Sequence, residues 1–316
     1  MQDQVQTSPE WEQKTLEKTL MANMIEHRRS RRWGIFFKLI ILVYVIFLTY
    51  IFFQGKNKPV LKDHVALIDM IGTIGQGQEV EADKIATSLR HAFDEQKVKG
   101  IILRINSPGG TPVQSAYIYD ELRRLRKLHP TKKVYAVVVD ICASGAYYVA
   151  VGADQIYANP SSIVGSIGVL MPGFGFVETM KKVGVEQRSI TAGKNKAFLD
   201  PFAPENPEQI AFAKSLLSDV HQHFINAVKE GRGARLKQQD ESVFSGLFWT
   251  GDKALQMGLI DGLGSAGFVA REVIGIDEII DYSVSHSLMD RLAAKFGASA
   301  AKQLSAELGL NPQTLK

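Results

Sequence analysis

Between Trp33 and Phe53 the chain reads WGIFFKLIILVYVIFLTYIFF, with Lys38 as the only charge. A helix rising about 1.5 Å per residue needs roughly twenty apolar residues to cross a bilayer core, and this run supplies them. Lys38 lies near the arginine-rich end, where its long stem can lift the ammonium to the interface. A core helix of a water-soluble domain is rarely this uniformly apolar or so aromatic at both ends. Residues 33–53 are therefore read as a membrane anchor. About thirty residues precede the run and Phe52-Phe53-Gln54 closes it, unlike the short apolar core and small-residue cut of a signal peptide. Arg28, Arg29, Arg31 and Arg32 precede the span, whereas Lys56, Lys58 and Lys62 follow more sparsely. The positive-inside rule then predicts a single-pass protein of an inner membrane, with the N-terminus cytoplasmic and the rest, in a bacterium, periplasmic.

The anchor divides the chain into an expected cytoplasmic tail (1–32), the span (33–53), a polar linker (54–62), a folded domain (63–270) and a C-terminal helical extension (271–316). In the tail, Ser8-Pro9-Glu10 has the hydroxyl, proline and acid of a helix start. In the extension, Leu288, Met289, Leu292, Phe296, Leu304 and Leu308 recur at roughly helical spacing, a pattern that could serve an inter-subunit contact but is more often a helix packed on its own domain. The formal charge of +4 is small for 316 residues and concentrates in the arginine cluster, so no nucleic-acid partner is indicated. Cys142 is the only cysteine, which excludes an internal disulfide.

Within the domain, strand and helix patterns alternate. Strands are expected near Val65–Ile68, Gly100–Ile105, Val134–Val139 and Gln155–Ala158, and helices over Ala82–Gln96, Pro112–Leu128 and Ser144–Val151. LIDMI, IILRI and VYAVVV are near-continuous apolar runs, as in strands covered by helices on both faces. The fold class predicted is α/β, with a largely parallel sheet flanked by helices. Function in such sheets gathers beyond the carboxyl ends of strands, which directs attention to Asn106–Thr111 and Asp140–Gly145.

Asn106-Ser107-Pro108-Gly109-Gly110-Thr111 joins a strand to a helix. Its glycine N–H groups could stabilise an oxyanion at a helix start, or the glycines could serve only a tight turn. In Asp140-Ile141-Cys142-Ala143-Ser144-Gly145, small residues surround a serine at the next strand-to-helix junction. Ser144 is placed either as a nucleophile or as a helix cap. It is not a G-x-S-x-G elbow, because Cys142 and Ala146 stand where glycines would be needed. Cys142 itself reads as packing. A serine nucleophile needs a base, yet none of the seven histidines has a persuasive setting; His221 and His223, two apart on an expected helix, face different ways. A lysine is the alternative, provided that burial leaves its amine neutral.

Taken together, INSPGG (105–110), ASGAYYVA (143–150), SSIVGSIGVL (161–170), AGKNKAFLDPF (192–202) and FWTGDKALQMGLIDGLG (248–264) resemble the signal peptide peptidase A family in its short form. The resemblance spans about Val65 to Gly264. It implies a core like that of Clp protease and crotonase, and a Ser-Lys serine peptidase that needs neither metal nor cofactor. Carried onto this sequence, the family's nucleophile falls on Ser144 and its general base on Lys196, with Lys194 the alternative. The oxyanion donors fall on Gly109 or Gly110 and on Gly145. The resemblance further implies apolar peptide substrates, chiefly cleaved signal peptides left in the bilayer, and a homo-oligomeric ring in which serine and lysine meet across a subunit boundary. Three other readings share the pattern: a related membrane-protein protease, a crotonase-type acyl-CoA enzyme using the same glycines on an enolate, and a non-catalytic scaffold.

Overall fold

The computed structural model describes residues 9–54, 62–237 and 242–284. The chain divides into two units between Leu61 and Lys62. The first is one continuous helix, α1 (Pro9–Gln54), in which the expected tail helix and the apolar run join without a break. It is the one helix among the described residues that is long and apolar enough to cross a membrane. Trp33, Phe36, Phe37 and the apolar side chains on to Tyr50 are exposed within this unit.

The second unit begins with β1 (His64–Ile71), α2 (Ala82–Asp94), β2 (Val98–Ser107), α3 (Pro112–Leu128), β3 (Lys133–Ala143), α4 (Gly145–Ala150) and β4 (Gln155–Ala158). α3 starts at a proline, which lacks only an N–H that the first turn would leave unpaired, and it ends just before His129-Pro130. There follow β5 (Ile163–Gly165), α5 (Val177–Val183), α6 (Pro207–Arg232), β6 (Phe248–Thr250), α7 (Gly251–Met257), β7 (Gly262–Leu263) and β8 (Ile279–Asp281).

The main path of the sheet runs β6-β5-β3-β2-β1-β8, and every pairing is parallel except β5 with β6. β3 is longer than expected and serves two neighbours. Its first half pairs with β4 (Tyr135↔Gln155) and its last residues pair with β5 (Ala143↔Gly165). The sheet therefore divides along β3, and the residues after its end emerge beside β5.

One face of the sheet carries the main core, where Ile68, Met70, Ile101, Leu103 and Val138 pack with Leu89, Ile118, Leu122, Tyr147, Phe224 and Met257 from the helices. The expectation that helices cover both faces is met only in part. On the second face a π-helical turn, Val269–Ile274, covers Val65, Leu67, Ile102 and Val137. Farther along the same strands Ile71 and Val139 stay exposed.

The described part of the expected extension from 271 reaches only to residue 284. The helical turn ends at Ile274, and Ile279–Asp281 instead adds β8 in parallel to β1, so the sheet continues past residue 270. Tyr282 Oη and His64 Nε2, 2.9 Å apart, tie the two strands together. The periodic leucines from Leu288 to Leu308 lie outside the described residues.

Candidate active site

The two glycine- and serine-bearing loops meet at the carboxyl ends of β2 and β3. Ser144 sits between β3 and α4 with φ +53° and ψ −126°, a conformation that a residue with a side chain rarely holds. Such geometry costs about 1–3 kcal/mol and persists only where the surroundings impose it. Here the Ser144 N–H donates to the Gly165 carbonyl of β5 (2.9 Å), and the Ser144 carbonyl accepts from Tyr148 N–H in the first turn of α4 (3.0 Å). The Ser144 hydroxyl makes no capping bond, which removes the helix-cap reading of this residue.

The Asn106–Thr111 loop lies directly against it. Gly109 has φ +100°, and a Cβ there would stand 2.7 Å from the Ala143 carbonyl oxygen, 2.7 Å from Gly145 N and 2.8 Å from Ser144 Cβ. Only a bare Cα lets the loop approach so closely. Gly110 is clasped by Ile74, whose N–H donates to the Gly109 carbonyl and whose carbonyl accepts from Thr111 N–H, 2.9 Å each. A Cβ on Gly110 would overlap the Ile74 carbonyl. A Cβ on Gly145 would overlap Ser115 Oγ and lie 3.3 Å from Gly110 N, so Gly110 and Gly145 are close neighbours.

The loop's N–H groups are not equivalent. Gly109 N–H donates to the buried Ser107 Oγ (3.1 Å). Gly110 N–H and Gly145 N–H, the latter at the first position of α4, have no hydrogen-bond partner among the described residues. Of the two glycines left open by the sequence, Gly110 thus carries the free donor.

Ser144, Gly110 and Gly145 line a cavity of ≈ 720 Å³. Its walls are largely apolar, with Val113, Ala116, Tyr148, Val169, Leu170, Val220 and Phe224. The Tyr148 ring lies 5.3 Å from the Tyr119 ring, edge-on, and 5.0 Å from the Phe224 ring. Ser166, which also has φ +53°, and His223 line the cavity too, and neither was singled out as a site residue by the sequence. The histidines do face apart: His221 Nε2 lies 3.1 Å from the Ile167 carbonyl oxygen, while His223 borders the cavity. Cys142 is fully buried, and burial pushes its thiol pKa up, away from the thiolate a nucleophile needs.

Lys196 is not brought into this cavity within one chain. It is exposed on the turns that follow Gly193, outside the lining of the Ser144 cavity. Lys194 is exposed as well and lies 3.4 Å from Glu208. The stretch between β5 and α6 has an unusual surface for a soluble fold: Leu170, Phe174, Val183, Val185 and Ile190 are all more than half exposed, and α5 buries no residue.

Residues 126–273 match peptidase family S49. A protein of Synechocystis sp., provisionally named a protease, is 33% identical over 208 residues, which cover 66% of this chain and 72% of that one. A provisionally named signal peptide peptidase SppA of Enterococcus faecium is 30% identical over 215 residues, covering 66% and 61%. A Brucella abortus protein named Na+/H+ antiporter NhaA is 46% identical over 217 residues, or 69% of this chain. The chain spans only 29% of that relative's length.

Proposed function

Because the chain belongs to peptidase family S49, we propose that it is a membrane-anchored serine endopeptidase with Ser144 as nucleophile and Lys196 as general base. The observation that carries this reading is the strained, uncapped Ser144, open to an apolar cavity and flanked by the free N–H groups of Gly110 and Gly145. In the proposed reaction the Lys196 amine takes the hydroxyl proton as Ser144 Oγ attacks the scissile carbonyl carbon. Gly110 and Gly145 N–H donate to the tetrahedral oxyanion. The C–N bond breaks, the leaving amine departs with the proton from Lys196, and water then hydrolyses the acyl-serine with the same lysine as base. In this scheme Gly109 shapes the loop rather than donating, since its N–H is already engaged by Ser107.

A lysine base works in a desolvated setting, and Lys196 is exposed in the single chain. A neighbouring copy resting on the apolar stretch between β5 and α6 would supply that burial, which favours an oligomer in which Lys196 serves the Ser144 of an adjacent subunit. The walls of the cavity favour apolar side chains. Together with α1, this supports substrates that are peptide segments from the bilayer, cleaved signal peptides among them. The arginine cluster ahead of the span favours a cytoplasmic N-terminus and a peptidase domain on the outer face of an inner membrane.

The test is cleavage of a fluorogenic apolar peptide by the full chain in detergent, with Ser144→Ala, Lys196→Ala, Lys194→Ala and His223→Ala compared. Ser144→Ala and Lys196→Ala should be inactive while still assembled, and the other two should retain activity. Subunits of Ser144→Ala and Lys196→Ala, dissociated and reassembled together, should recover part of the activity if the pair forms between chains. Wild-type rates in Ser144→Ala would overturn the nucleophile, and loss in His223→Ala with activity kept in Lys196→Ala would move the base to the histidine.

A further inference from the structure

Ser107 closes β2, is wholly buried and stands opposite Cys142 in the β2–β3 ladder, after a register shift that falls between Ile105 and Ser107. It is thus bound by backbone pairing to the strand that delivers Ser144 two residues later. Its hydroxyl reaches forward and accepts the Gly109 N–H at 3.1 Å. Gly109 in turn abuts the Ser144–Gly145 peptide, and its carbonyl is fixed by Ile74 N–H.

These contacts fix which amide of the loop is free. Were Gly109 N–H not taken up by the hydroxyl, a buried donor would lack a partner, and rotation of the 108–110 peptides toward the cavity would be the nearest way to satisfy it. We infer that Ser107 is a positioning residue for the oxyanion hole: by occupying Gly109 N–H it holds the loop in the one arrangement that presents Gly110 N–H beside Gly145 N–H. The inference rests on the Ser144 peptidase reading. It adds a residue that touches neither substrate nor the reacting atoms.

The experiment compares wild type, Ser107→Ala, Ser107→Cys and Ser107→Thr as full-length proteins. It measures kcat and KM on an apolar peptide, affinity for the matching peptide aldehyde, and thermal midpoint. Thr keeps the hydroxyl acceptor, and Cys keeps a side chain of similar shape with a weaker acceptor. Removing a whole oxyanion donor costs roughly 100-fold or more in kcat, so misplacing one should cost roughly 10- to 100-fold. Ser107→Ala and Ser107→Cys should show that loss in kcat with KM changed less than about twofold. Aldehyde affinity should weaken roughly as kcat does, because both report on the oxyanion site. Ser107→Thr should recover most of the rate. Should Ser107→Ala fail to assemble, Ser107→Cys decides. A lowered thermal midpoint with wild-type kcat and aldehyde affinity in the folded variants would reduce Ser107 to a packing residue and overturn the inference. Failure of the underlying reading looks different: wild type itself would not cleave, or Ser144→Ala would.

Discussion

Gly109→Ala should disable the enzyme far more than it destabilises the fold, and Gly77→Ala provides its control. Both glycines have positive φ, +100° and +72°, so alanine meets backbone strain of about 1–2 kcal/mol at either position. At Gly77 nothing lies within 4 Å of the added Cβ, and strain is the whole effect. At Gly109 the Cβ stands 2.7 Å from Ala143 O and Gly145 N, and those atoms must recede by about 0.7 Å to reach an ordinary contact of 3.4 Å. Overpacking of this kind adds about 1–3 kcal/mol, for a total of about 2–5 kcal/mol. In a domain of this size each kcal/mol lowers Tm by about 2–4 °C. The groups forced to move are Ser144 and the Gly145 donor, and a misplacement near 1 Å costs roughly 100-fold in rate. Labelling by a fluorophosphonate probe, followed over time and set beside a thermal melt, separates the two effects. Gly77→Ala should label at the wild-type rate with Tm lower by about 2–8 °C, whereas Gly109→Ala should label roughly 100-fold more slowly while still folded at 25 °C. Equal labelling rates in the two variants would refute the contact geometry assigned to the loop.

Two further outcomes follow from the same structure. Glu121 accepts from Arg124 and Arg90 across α2 and α3, and these hydrogen bonds hold its carboxyl down to about 2; its contribution to stability is therefore complete above the usual carboxylate range and is lost as pH falls from about 4.5 toward 2. In urea titrations Glu121→Gln should be less stable than wild type at pH 6, and the gap should close by pH 2; a gap independent of pH would refute the assignment. At Ser144 the usual ranking of alanine over glycine should invert, because glycine relieves φ +53° and alanine does not: Ser144→Gly should melt about 2–4 °C above Ser144→Ala, and the reverse order would mean that the backbone there is unstrained.

The sequence carried the parts of the fold that periodicity and punctuation encode. Pro112 and the His129-Pro130 pair bound α3 at the residues expected, and the apolar runs place β1, β2 and β3 in one parallel sheet. Strands of three residues, such as β5 and β6, are too short to show a period, so the extension of β3 to Ala143 along β5 was not legible. The open half of the second face escaped for a related reason. An apolar run reads the same whether its cover comes from its own chain or from elsewhere, and Ile71 and Val139 are exposed here. His223 was set aside because its neighbour His221 faces elsewhere; that α6 turns His223 to the Ser144 cavity depends on packing against α4, which local pattern does not report. The positive φ of Ser144 was hidden as well, since no glycine marks it.

The division of labour around Ser144 explains why one half of the proposed dyad is built and the other is not. The backbone strain at Ser144 needs a scaffold that over-determines it. β5 receives its N–H, the first turn of α4 holds its carbonyl, Gly109 backs its Cβ, and the Tyr147 hydroxyl anchors α4 by donating to the Leu259 carbonyl (2.7 Å). Val164 of β5, Tyr147 of α4 and Leu259 all belong to one buried core, so a single chain can sustain these supports. Lys196 has no such support. It sits on an exposed excursion whose apolar side chains are left facing outward, a surface that gains stability only by being covered. If the same covering both buries those side chains and brings Lys196 to a serine, activity is tied to assembly, and a lone subunit holds only the proposed nucleophile and the two free N–H groups of Gly110 and Gly145.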